Sequence, residues 1–362
     1  MKTPDILSAR LLGQRITGAP LDEAADVVRW MGAVQAQDYA GAKWAVALRT
    51  RLCTDAEMDA AFDAGEILRT HVMRPTWHFV PPEDIRWMQM LTGPRVDAIL
   101  AYQYRRLELD AQVLKRSRAA MEKALLGGRQ LTRAELGSAL ARAGIEADGL
   151  RLVHIVMRAE LEAVLCSGGR RGKQFTYALV DERAPRQRNL DREAALALLT
   201  ERYFISHGPA TLQDYAWWSG LHSADVRAGV DMVKTKLIRD EVEGRVYWMS
   251  ASLPEVRRPR GRVHLLPNYD EYIIGYTDRS AIFDSVHAEH LDARHNPLFN
   301  HTLVSSGRIV GTWMRSLARD SLTVSAKPFE SMASAEAKGF RQAAKRFAKF
   351  SGAKSLDLSI VL

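Results

Sequence analysis

One pattern recurs along most of the 362-residue chain: two or three amphipathic helical segments followed by a strand-like segment. The first copy begins with a helical segment over Pro4–Arg15 and ends in the β-branched and aromatic run Ile67–Val80. The second copy ends in a hairpin over Ala163–Leu179, and the third closes with the strand Val246–Met249. Helices followed by a β-hairpin are typical of a winged helix, so the pattern predicts a repeated winged-helix scaffold.

The last third of the chain has a different character, with short strands followed by one helix over Ser334–Phe350 and a final strand. We therefore predict a mainly α protein with β structure (α+β), built from three tandem winged-helix units plus a C-terminal β-barrel-like domain. A chain of this length exceeds one comfortable hydrophobic core. The expected domains are residues 1–128, 129–182, 183–255 and 256–362.

Local signals refine several elements. Thr132 followed by Glu135 is a capping-box signature, which predicts that a helix begins there. Separate helices are predicted over Glu83–Leu91 and Val96–Leu107, and a strand over Tyr272–Ile274.

The net charge and the cysteine content restrict the expected binding partners and the cellular compartment of the protein. Lys plus Arg exceed Asp plus Glu by 51 to 43, and a net charge of +8 favours polyanionic partners. The two cysteines, Cys53 and Cys166, form no CxxC motif, which argues against a disulfide scaffold or a cysteine-based zinc finger. The chain contains neither a signal-like apolar segment nor a membrane-length one, so we expect a cytoplasmic, nucleoid-associated protein without a membrane partner.

Common catalytic motifs are absent from the sequence. The chain lacks GxGxxG, GxxxxGK[ST], HExxH and GxSxG, which argues against nucleotide hydrolysis, dinucleotide redox chemistry and two large hydrolase classes. His287, His290 and His295 have a spacing that could bind Zn²⁺ as part of a metal-dependent enzyme. A solvated polar loop explains them better because no supporting ligand partner is evident, so we expect no metal and no cofactor.

The strand-like run Ile67–Val80 carries basic and aromatic side chains. Pro75 within it indicates a wing or an edge strand, because proline cannot donate to an inner ladder. Alternation predicts two faces, one with His71, Met73 and Trp77 and the other with Arg74, Thr76 and His78. The alternatives are half-buried packing and a strand that faces DNA.

A second basic segment, Ser167–Lys173, forms the predicted hairpin tip and contains Arg170, Arg171 and Lys173 among three glycines. Glycine allows close backbone approach, and the cations could contact phosphates or enter a minor groove. The alternative is a solvated turn.

The tripeptide Gln35-Ala36-Gln37 follows an apolar helix and precedes Gly41. On an extended backbone, residues i and i+2 project to the same side, so both amides could converge on one point. Spacing alone equally fits a polar helix end.

Three segments together resemble the winged-helix family of bacterial alkylpurine DNA glycosylases. They are GAVQAQDY over Gly32–Tyr39 followed by Lys43-Trp44-Ala45, RTHVMRPTWH over Arg69–His78, and LLPNYDEY over Leu265–Tyr272 followed by Gly275-Tyr276. The resemblance spans nearly the whole chain and implies three winged-helix units plus a β-barrel on duplex DNA. Family members cut the N-glycosidic bond of N7-alkylated purines, including bulky adducts and interstrand crosslinks, in repair or in antibiotic self-resistance.

The resemblance also implies site residues. Gln35 and Gln37 match the family's Gln-Φ-Gln catalytic motif, in which Φ is Ala36. The expected DNA-binding residues are Lys43, Trp44, Arg69, His71, Arg74, Trp77, His78, Arg170, Arg171 and Lys173. The expected partner is double-stranded DNA that contains alkylated purines, bound by a monomer.

The chemistry fits glutamines. An N7-alkylated purine is cationic and leaves without a general acid, so the enzyme must orient a water and stabilise an oxocarbenium-like sugar. We expect Gln37 to position the water and Gln35 to support it. Since the motif contains no lysine to act as a Schiff-base nucleophile, a monofunctional glycosylase is expected. The alternative is a non-enzymatic winged-helix transcriptional regulator, although no helix carries an evident base-reading cluster.

Overall fold

A computed structural model describes residues 3–185, 188–253 and 262–361. The chain divides into two compact units, one of Met1–Met58, Leu199–Trp218 and Ser223–Leu362, the other of Asp59–Leu198 and Ser219–His222. Helices and strands occur in both, which confirms the predicted mixture of α and β structure. The predicted domain boundary between residues 255 and 256 lies outside the described residues.

Helices account for most of the regular structure. In chain order, the α-helices of the described residues are α1 (Thr3–Gly13), α2 (Ala24–Met31), α3 (Tyr39–Ala47), α4 (Asp55–Ala64), α5 (Ile85–Arg106), α6 (Ala111–Leu125), α7 (Arg133–Arg142), α8 (Gly149–Leu161), α9 (Val180–Arg183), α10 (Arg192–Ser206), α11 (Leu212–Ser219), α12 (Ser223–Val233), α13 (Glu271–Ile274) and α14 (Ser334–Ser351).

The strands are short and mostly antiparallel. They are β1 (Val34–Gln35), β2 (Leu68–Val72), β3 (Arg74–Val80), β4 (Leu131–Thr132), β5 (Leu165–Ser167), β6 (Thr176–Leu179), β7 (Leu237–Val242), β8 (Arg245–Ser250), β9 (Val263–Leu266), β10 (Thr302–Ser305), β11 (Arg308–Ala318), β12 (Ser321–Pro328) and β13 (Ser355–Ile360). β2 pairs with β3, β6 lies between β4 and β5, and β7 pairs with β8.

The C-terminal strands form an open sheet in the order β13-β12-β11-β10-β9. β12 and β13 are parallel, while the other neighbours are antiparallel. β13 and β9 are the two edges of this sheet in the part of the chain that is described, so the predicted barrel-like closure is not confirmed. The amphipathic helix α14 covers the sheet with Phe340, Ala344 and Phe347 buried.

The second copy of the sequence pattern has the predicted order of elements. Thr132 caps α7 by accepting from the Glu135 N–H, and the Glu135 carboxylate accepts from the Thr132 N–H, which confirms the capping box. α8 follows, and β5 and β6 then form the hairpin. Leu136, Leu140 and Ile155 belong to the hydrophobic core beneath these helices.

Two local predictions are wrong. The helices expected over Glu83–Leu91 and Val96–Leu107 are one helix, α5, which runs through Pro94. Proline removes one backbone donor, and α5 continues through it with Gly93 and Val96 buried on either side. The strand expected over Tyr272–Ile274 is helical, because Asp270 caps α13 by accepting from the Tyr272 N–H. Within the described ranges, no helix has both the length and the apolar character needed to cross a membrane.

Candidate active site

The Gln35-Ala36-Gln37 segment links two helices through an extended stretch of backbone. α2 ends at Met31, and Gly32 adopts φ +80°, a conformation that favours glycine and that ends the helix. β1 covers Gln35, and α3 begins after Asp38, whose carboxylate accepts from the Gly41 N–H at 3.1 Å. The motif is therefore held by a helix end on one side and a capped helix start on the other.

Burial separates the two glutamines. Gln35 is 5% exposed and Ala36 is fully buried, whereas Gln37 is exposed. Gln35 is thus part of the packed interior, while Gln37 lies where solvent or a large ligand can reach it. The small Ala36 side chain fits the packed interior between them.

The Glu271 carboxylate holds the backbone of the motif through a hydrogen bond to Gln35. Its Oε1 accepts from the Gln35 N–H at 2.7 Å, and its Oε2 accepts from the Trp218 Nε1–H at 2.9 Å. The His207 Nε2 lies 3.3 Å from the same Oε2, and the Glu271 side chain is fully buried. A buried carboxylate requires such donors because an unsatisfied charge in the interior is costly.

His207 is a neutral donor in this network. Complete burial lowers the pKa of His207, although the hydrogen bond to Glu271 opposes the shift. Its Nδ1 lies 2.8 Å from Ser206 Oγ, and its ring stacks on Tyr203 with the centroids 4.9 Å apart. The Nε2–H tautomer donates to Glu271, and its Nδ1 accepts from the Ser206 hydroxyl when that group turns away from the Arg202 carbonyl, 2.7 Å from Ser206 Oγ.

The adjacent carboxylate, Asp270, has a different partner. Arg49 donates to both of its oxygens, at 3.0 and 2.9 Å, and both side chains are almost completely buried. Arg49 also donates to the backbone carbonyl and the Oε1 of Gln14. This bidentate pair connects α1, the end of α3 and the start of α13, and compensates the Asp270 charge.

Polar groups meet near the start of α3, at Gly41, four residues after Gln37. A Cβ added to Gly41 would come within 2.9 Å of Asn268 Oδ1 and 3.3 Å of the Asp38 carboxyl group, so these side chains meet above the glycine. Asn268 Oδ1 is buried without a hydrogen-bond partner, and the Asn268 N–H donates to His301 Nδ1. Burial, followed by the nearby Arg315 charge, lowers the pKa of His301 to about 4. Asn268 Oδ1 is therefore a neutral acceptor beside Gly41, near the start of α3.

Sequence reasoning assigned no role to Glu271, His207, Asn268 or His301. Asn268 and Glu271 lie in the segment LLPNYDEY, which carried the family resemblance, so a signal for them was present. Nothing in the sequence indicated that Glu271 contacts Gln35, 236 residues away.

Two predicted DNA-binding residues are part of the interior. The Lys43 Nζ lies 2.9 Å from Asp55 Oδ1, and its side chain is 5% exposed. Trp44 is 1% exposed, donates from Nε1 to the Leu265 carbonyl and packs against Phe347. We revise both to structural residues, because a buried side chain cannot contact a duplex directly.

The predicted strand Ile67–Val80 is the β2–β3 hairpin, which turns at Met73 with φ +64°. His71 and Trp77 are cross-strand partners with ring centroids 4.4 Å apart, so they share a face as predicted. His71 Nδ1 lies 2.5 Å from the buried Glu160 carboxylate, and the Arg69 guanidinium lies over Trp77. His71 and Arg69 are buried, which favours a packing role for them.

The opposite face of this hairpin is more open. Arg74 Nη2 lies 3.2 Å from His78 Nε2, as the predicted alternation requires, and Arg74 is half-buried. His78 is fully buried and its Nδ1 lies 2.9 Å from the Thr76 carbonyl oxygen. Met73 belongs to the turn and to neither strand face, which corrects that part of the prediction.

The cations of the hairpin tip between β5 and β6 differ in their exposure and in their ion pairs. The Arg170 guanidinium lies 3.3 Å from Asp59, and its backbone N–H donates to Asp63. Arg171 is paired with Glu135 at 2.7 Å, although its side chain is 54% exposed. Lys173 is exposed. Arg171 and Lys173 are the predicted contacts best placed to reach an external phosphate.

The predicted histidine cluster is an aromatic surface group. The rings of His287 and His290 pack on Phe329, with centroid distances of 4.8 and 5.5 Å, and His295 Nδ1 lies 3.1 Å from the Ala288 carbonyl. Across the described residues, no three potential metal ligands come together.

Comparisons with known proteins agree with one another. A family model described as DNA glycosylase AlkZ-like matches residues 28–350. The interstrand DNA cross-link repair glycosylase of Streptomyces sahachiroi is 23% identical over 367 residues, with 93% of each chain covered. The solved structure of the Streptomyces sahachiroi DNA glycosylase AlkZ is similar with a TM-score of 0.81 at 21% identity, and both chains are covered completely. The structural likeness shows a shared fold.

Proposed function

The chain belongs to the AlkZ-like DNA glycosylase family, and from that premise we propose that it hydrolyses the N-glycosidic bond of N7-alkylated purines in DNA and leaves an abasic site. The proposed substrates include bulky adducts and interstrand crosslinks, because the Streptomyces sahachiroi relative is named for crosslink repair. The biological role would be DNA repair or self-resistance to an alkylating antibiotic.

The observation that carries the proposal is the contrast between the two glutamines. Gln35 is buried, and its backbone N–H is held by Glu271, whereas Gln37 is exposed. A fixed backbone beside an accessible amide is the arrangement that a water-positioning group requires, since such a group must be oriented before the substrate arrives.

We propose the following mechanism. The cationic purine departs as a neutral base, and positive charge develops on the sugar. The Gln37 carbonyl oxygen orients a water towards C1′, and its dipole stabilises the developing cation. Gln35 supports Gln37 through the rigid backbone that both residues share. The water loses its proton after attack, so neither glutamine has to act as a strong base.

The same geometry favours a monofunctional enzyme. A lyase step needs an amine that can attack C1′. The nearest lysine in sequence, Lys43, is buried and ion-paired with Asp55, so its amine is inaccessible to a sugar. Release of the base without strand cleavage is therefore the expected reaction.

Duplex DNA is the proposed partner, and the protein is proposed to act as a cytoplasmic, nucleoid-associated monomer. The three winged-helix units, over residues 1–128, 129–182 and 183–255, remain a proposal about how the fold presents basic groups to the duplex. Arg74, Arg171 and Lys173 are the proposed phosphate contacts, because they retain exposed surface.

The proposal is tested by measuring whether the protein releases alkylated bases from DNA. Duplexes with N7-methylguanine, a bulky N7 adduct and an N7–N7 crosslink are incubated with the protein, and abasic sites are measured by alkaline cleavage. We expect Gln37→Ala to lower kcat about 100-fold or more with little change in the Kd for DNA. Gln213→Ala, an exposed glutamine on α11, is the matched control and should behave as wild type.

Failure to release any of these adducts would contradict the proposed substrate class. The alternative of a transcriptional regulator is not favoured by the glycosylase family match. It would be supported by a sequence-specific footprint on undamaged DNA together with no base release.

A further inference from the structure

A polar cavity lies in the unit that contains Gln35, and the residues that line it have no role in the proposed reaction. Its volume is about 390 Å³, and it lies between the segment after α1, the segment after α3, the strand β9 and the face of α14. Its cationic lining consists of Arg15, Arg51, Arg262, Arg346 and the imidazole of His264. Among the described residues that line it, none is an aspartate or a glutamate.

The charges in this cavity are poorly compensated. Arg51 is paired with Asp22, and both side chains are largely exposed, so solvent screens that pair. The Arg346 Nη2 donates to the Ala47, Leu48 and Thr50 carbonyls at the end of α3. The dipole of a helix stabilises a cation at this end. These contacts leave the cavity with an excess of positive charge.

Two nitrogen atoms at this cavity are buried without partners. They are the Nε2 of His264, whose side chain is 9% exposed, and the Nε of Arg15. An unsatisfied buried donor is unfavourable, and native structures usually supply a partner. Both nitrogen atoms belong to residues that line the cavity, and an anion is the type of acceptor that each of them lacks.

The titration of His264 reflects the same positive environment. Burial lowers the pKa of His264 to about 4, together with the charges of Arg346 on α14, of Arg262 two positions earlier in the chain and of Arg49 after α3. Arg15 lines the same space from the end of α1. The imidazole is neutral at pH 7 and can offer an N–H to an anion.

We propose that this cavity is a binding site for a phosphate-bearing anion, in addition to the proposed glycosylase site. Guanidinium groups bind phosphate oxygens through paired, charge-assisted hydrogen bonds, and four arginines are among the residues that line this cavity. The cavity volume falls in the range of small-molecule sites and exceeds the requirement of one inorganic phosphate. The anion is either a free compound with two linked phosphates or two consecutive phosphates of a DNA backbone.

Pyrophosphate is the probe for the shared chemistry. The pKa of His264 is followed by NMR of the imidazole resonances, with and without pyrophosphate, at constant ionic strength maintained with chloride. We expect pyrophosphate to raise the pKa of His264, because a neighbouring anion stabilises the imidazolium.

The variant test uses a pair of matched double substitutions. Arg51→Gln/Arg262→Gln removes two exposed cations from the cavity, and Arg227→Gln/Arg239→Gln removes two exposed cations elsewhere in the same unit. We expect the pyrophosphate Kd to rise about tenfold or more in the cavity variant and to be unchanged in the control. Equal weakening in both variants, or a His264 pKa that does not respond to pyrophosphate, would overturn the proposal.

Undamaged duplex DNA distinguishes the two sources. If the anion is backbone phosphate, pyrophosphate competes with DNA, and the cavity variant lowers the slope of log Kd against log salt by about 2 relative to the control. If the anion is a free compound, DNA binding is the same in both variants. Both results are consistent with the phosphate site, and each identifies the anion that occupies it.

Discussion

Replacement of Glu271 by glutamine tests how the Gln35 backbone is held. In the wild type, Oε1 accepts from Gln35, while Oε2 accepts from Trp218 and His207. A glutamine amide has one acceptor and one donor end, so in either orientation its NH₂ group faces an N–H donor, that of Gln35 or that of Trp218. Glu271→Gln thus loses one charge-assisted hydrogen bond and places two donors in contact.

The expected magnitude follows from that count. Loss of a buried, charge-assisted hydrogen bond and creation of an unsatisfied donor together cost about 3 kcal/mol. For a folding unit of this size, a melting temperature changes by about 2–4 °C per kcal/mol, so Tm should fall by about 6–12 °C. A shift of about 1 Å at Gln35 would lower kcat about 100-fold. The assay is single-turnover release of N7-methylguanine well below the Tm of the variant.

A second substitution distinguishes an effect on the position of the Gln35 backbone from a general loss of stability. In the double variant Glu271→Gln/Trp218→Phe, the amide oxygen can accept from Gln35, while the NH₂ group faces a ring and the His207 Nε2. His207 can accept there by adopting the Nδ1–H tautomer and donating to Ser206 Oγ. We expect kcat to recover to within about tenfold of Trp218→Phe alone.

Asp270→Asn is the matched control. Asparagine retains the helix cap, but Arg49 loses its ionic partner, so Tm should fall at least as far as in Glu271→Gln. The kcat of the folded protein should stay close to that of the wild type. The positioning role of Glu271 is refuted if Glu271→Gln retains wild-type kcat, or if Asp270→Asn loses kcat to the same degree.

Three further predictions concern stability and DNA binding. Because the pKa of His301 lies near 4 in the folded protein and near its ordinary 6.5 when unfolded, its contribution to stability, about 3 kcal/mol, should be present above pH 6.5 and lost as the pH falls to 4. If the denaturant concentration at the unfolding midpoint of the wild type did not decrease between pH 6.5 and pH 4, this prediction would be contradicted. Gly220→Ala should destabilise by more than about 3 kcal/mol, because the new Cβ would lie 2.1 Å from the Met73 carbonyl oxygen. Gly127→Ala, at similar positive φ with no neighbour within 4 Å, should cost only about 1 kcal/mol, and equal losses in thermal melts would exclude the steric explanation. Lys173→Gln should reduce the slope of log Kd against log salt for DNA by about 1, and an unchanged slope would remove this residue from the interface.

Much of the fold could be predicted because its signals are local. The Thr132–Glu135 capping box depends on residues three positions apart, and the helix over Ser334–Phe350 depends on apolar spacing. One strand prediction failed because a local cap outweighed the apolar pattern. The apolar run Tyr272–Ile274 suits a strand, but Asp270 caps it as a short helix that places Glu271 beneath Gln35.

The candidate site was predictable only in part. Gln35 and Gln37 were identified through the family resemblance, and spacing alone did not distinguish them from a polar helix end. The exposed cations of the hairpin tip, such as Lys173, were found from charge and glycine content. Burial of Trp44 and His71 could not be read from the sequence, because aromatic and histidine side chains are common both in cores and on binding surfaces.

The hydrogen bond between Gln35 and Glu271 joins residues 236 positions apart, and this separation has a consequence for biosynthesis. At a translation rate of about 5–20 residues per second, the ribosome needs on the order of 10–50 s to add Glu271 after Gln35 has been made. During that interval the nascent chain carries both glutamines without the carboxylate that holds them. A contact of such long range also closes late during folding, since the entropy of a large loop must first be overcome. The candidate site should therefore assemble only after Glu271 has emerged from the ribosome.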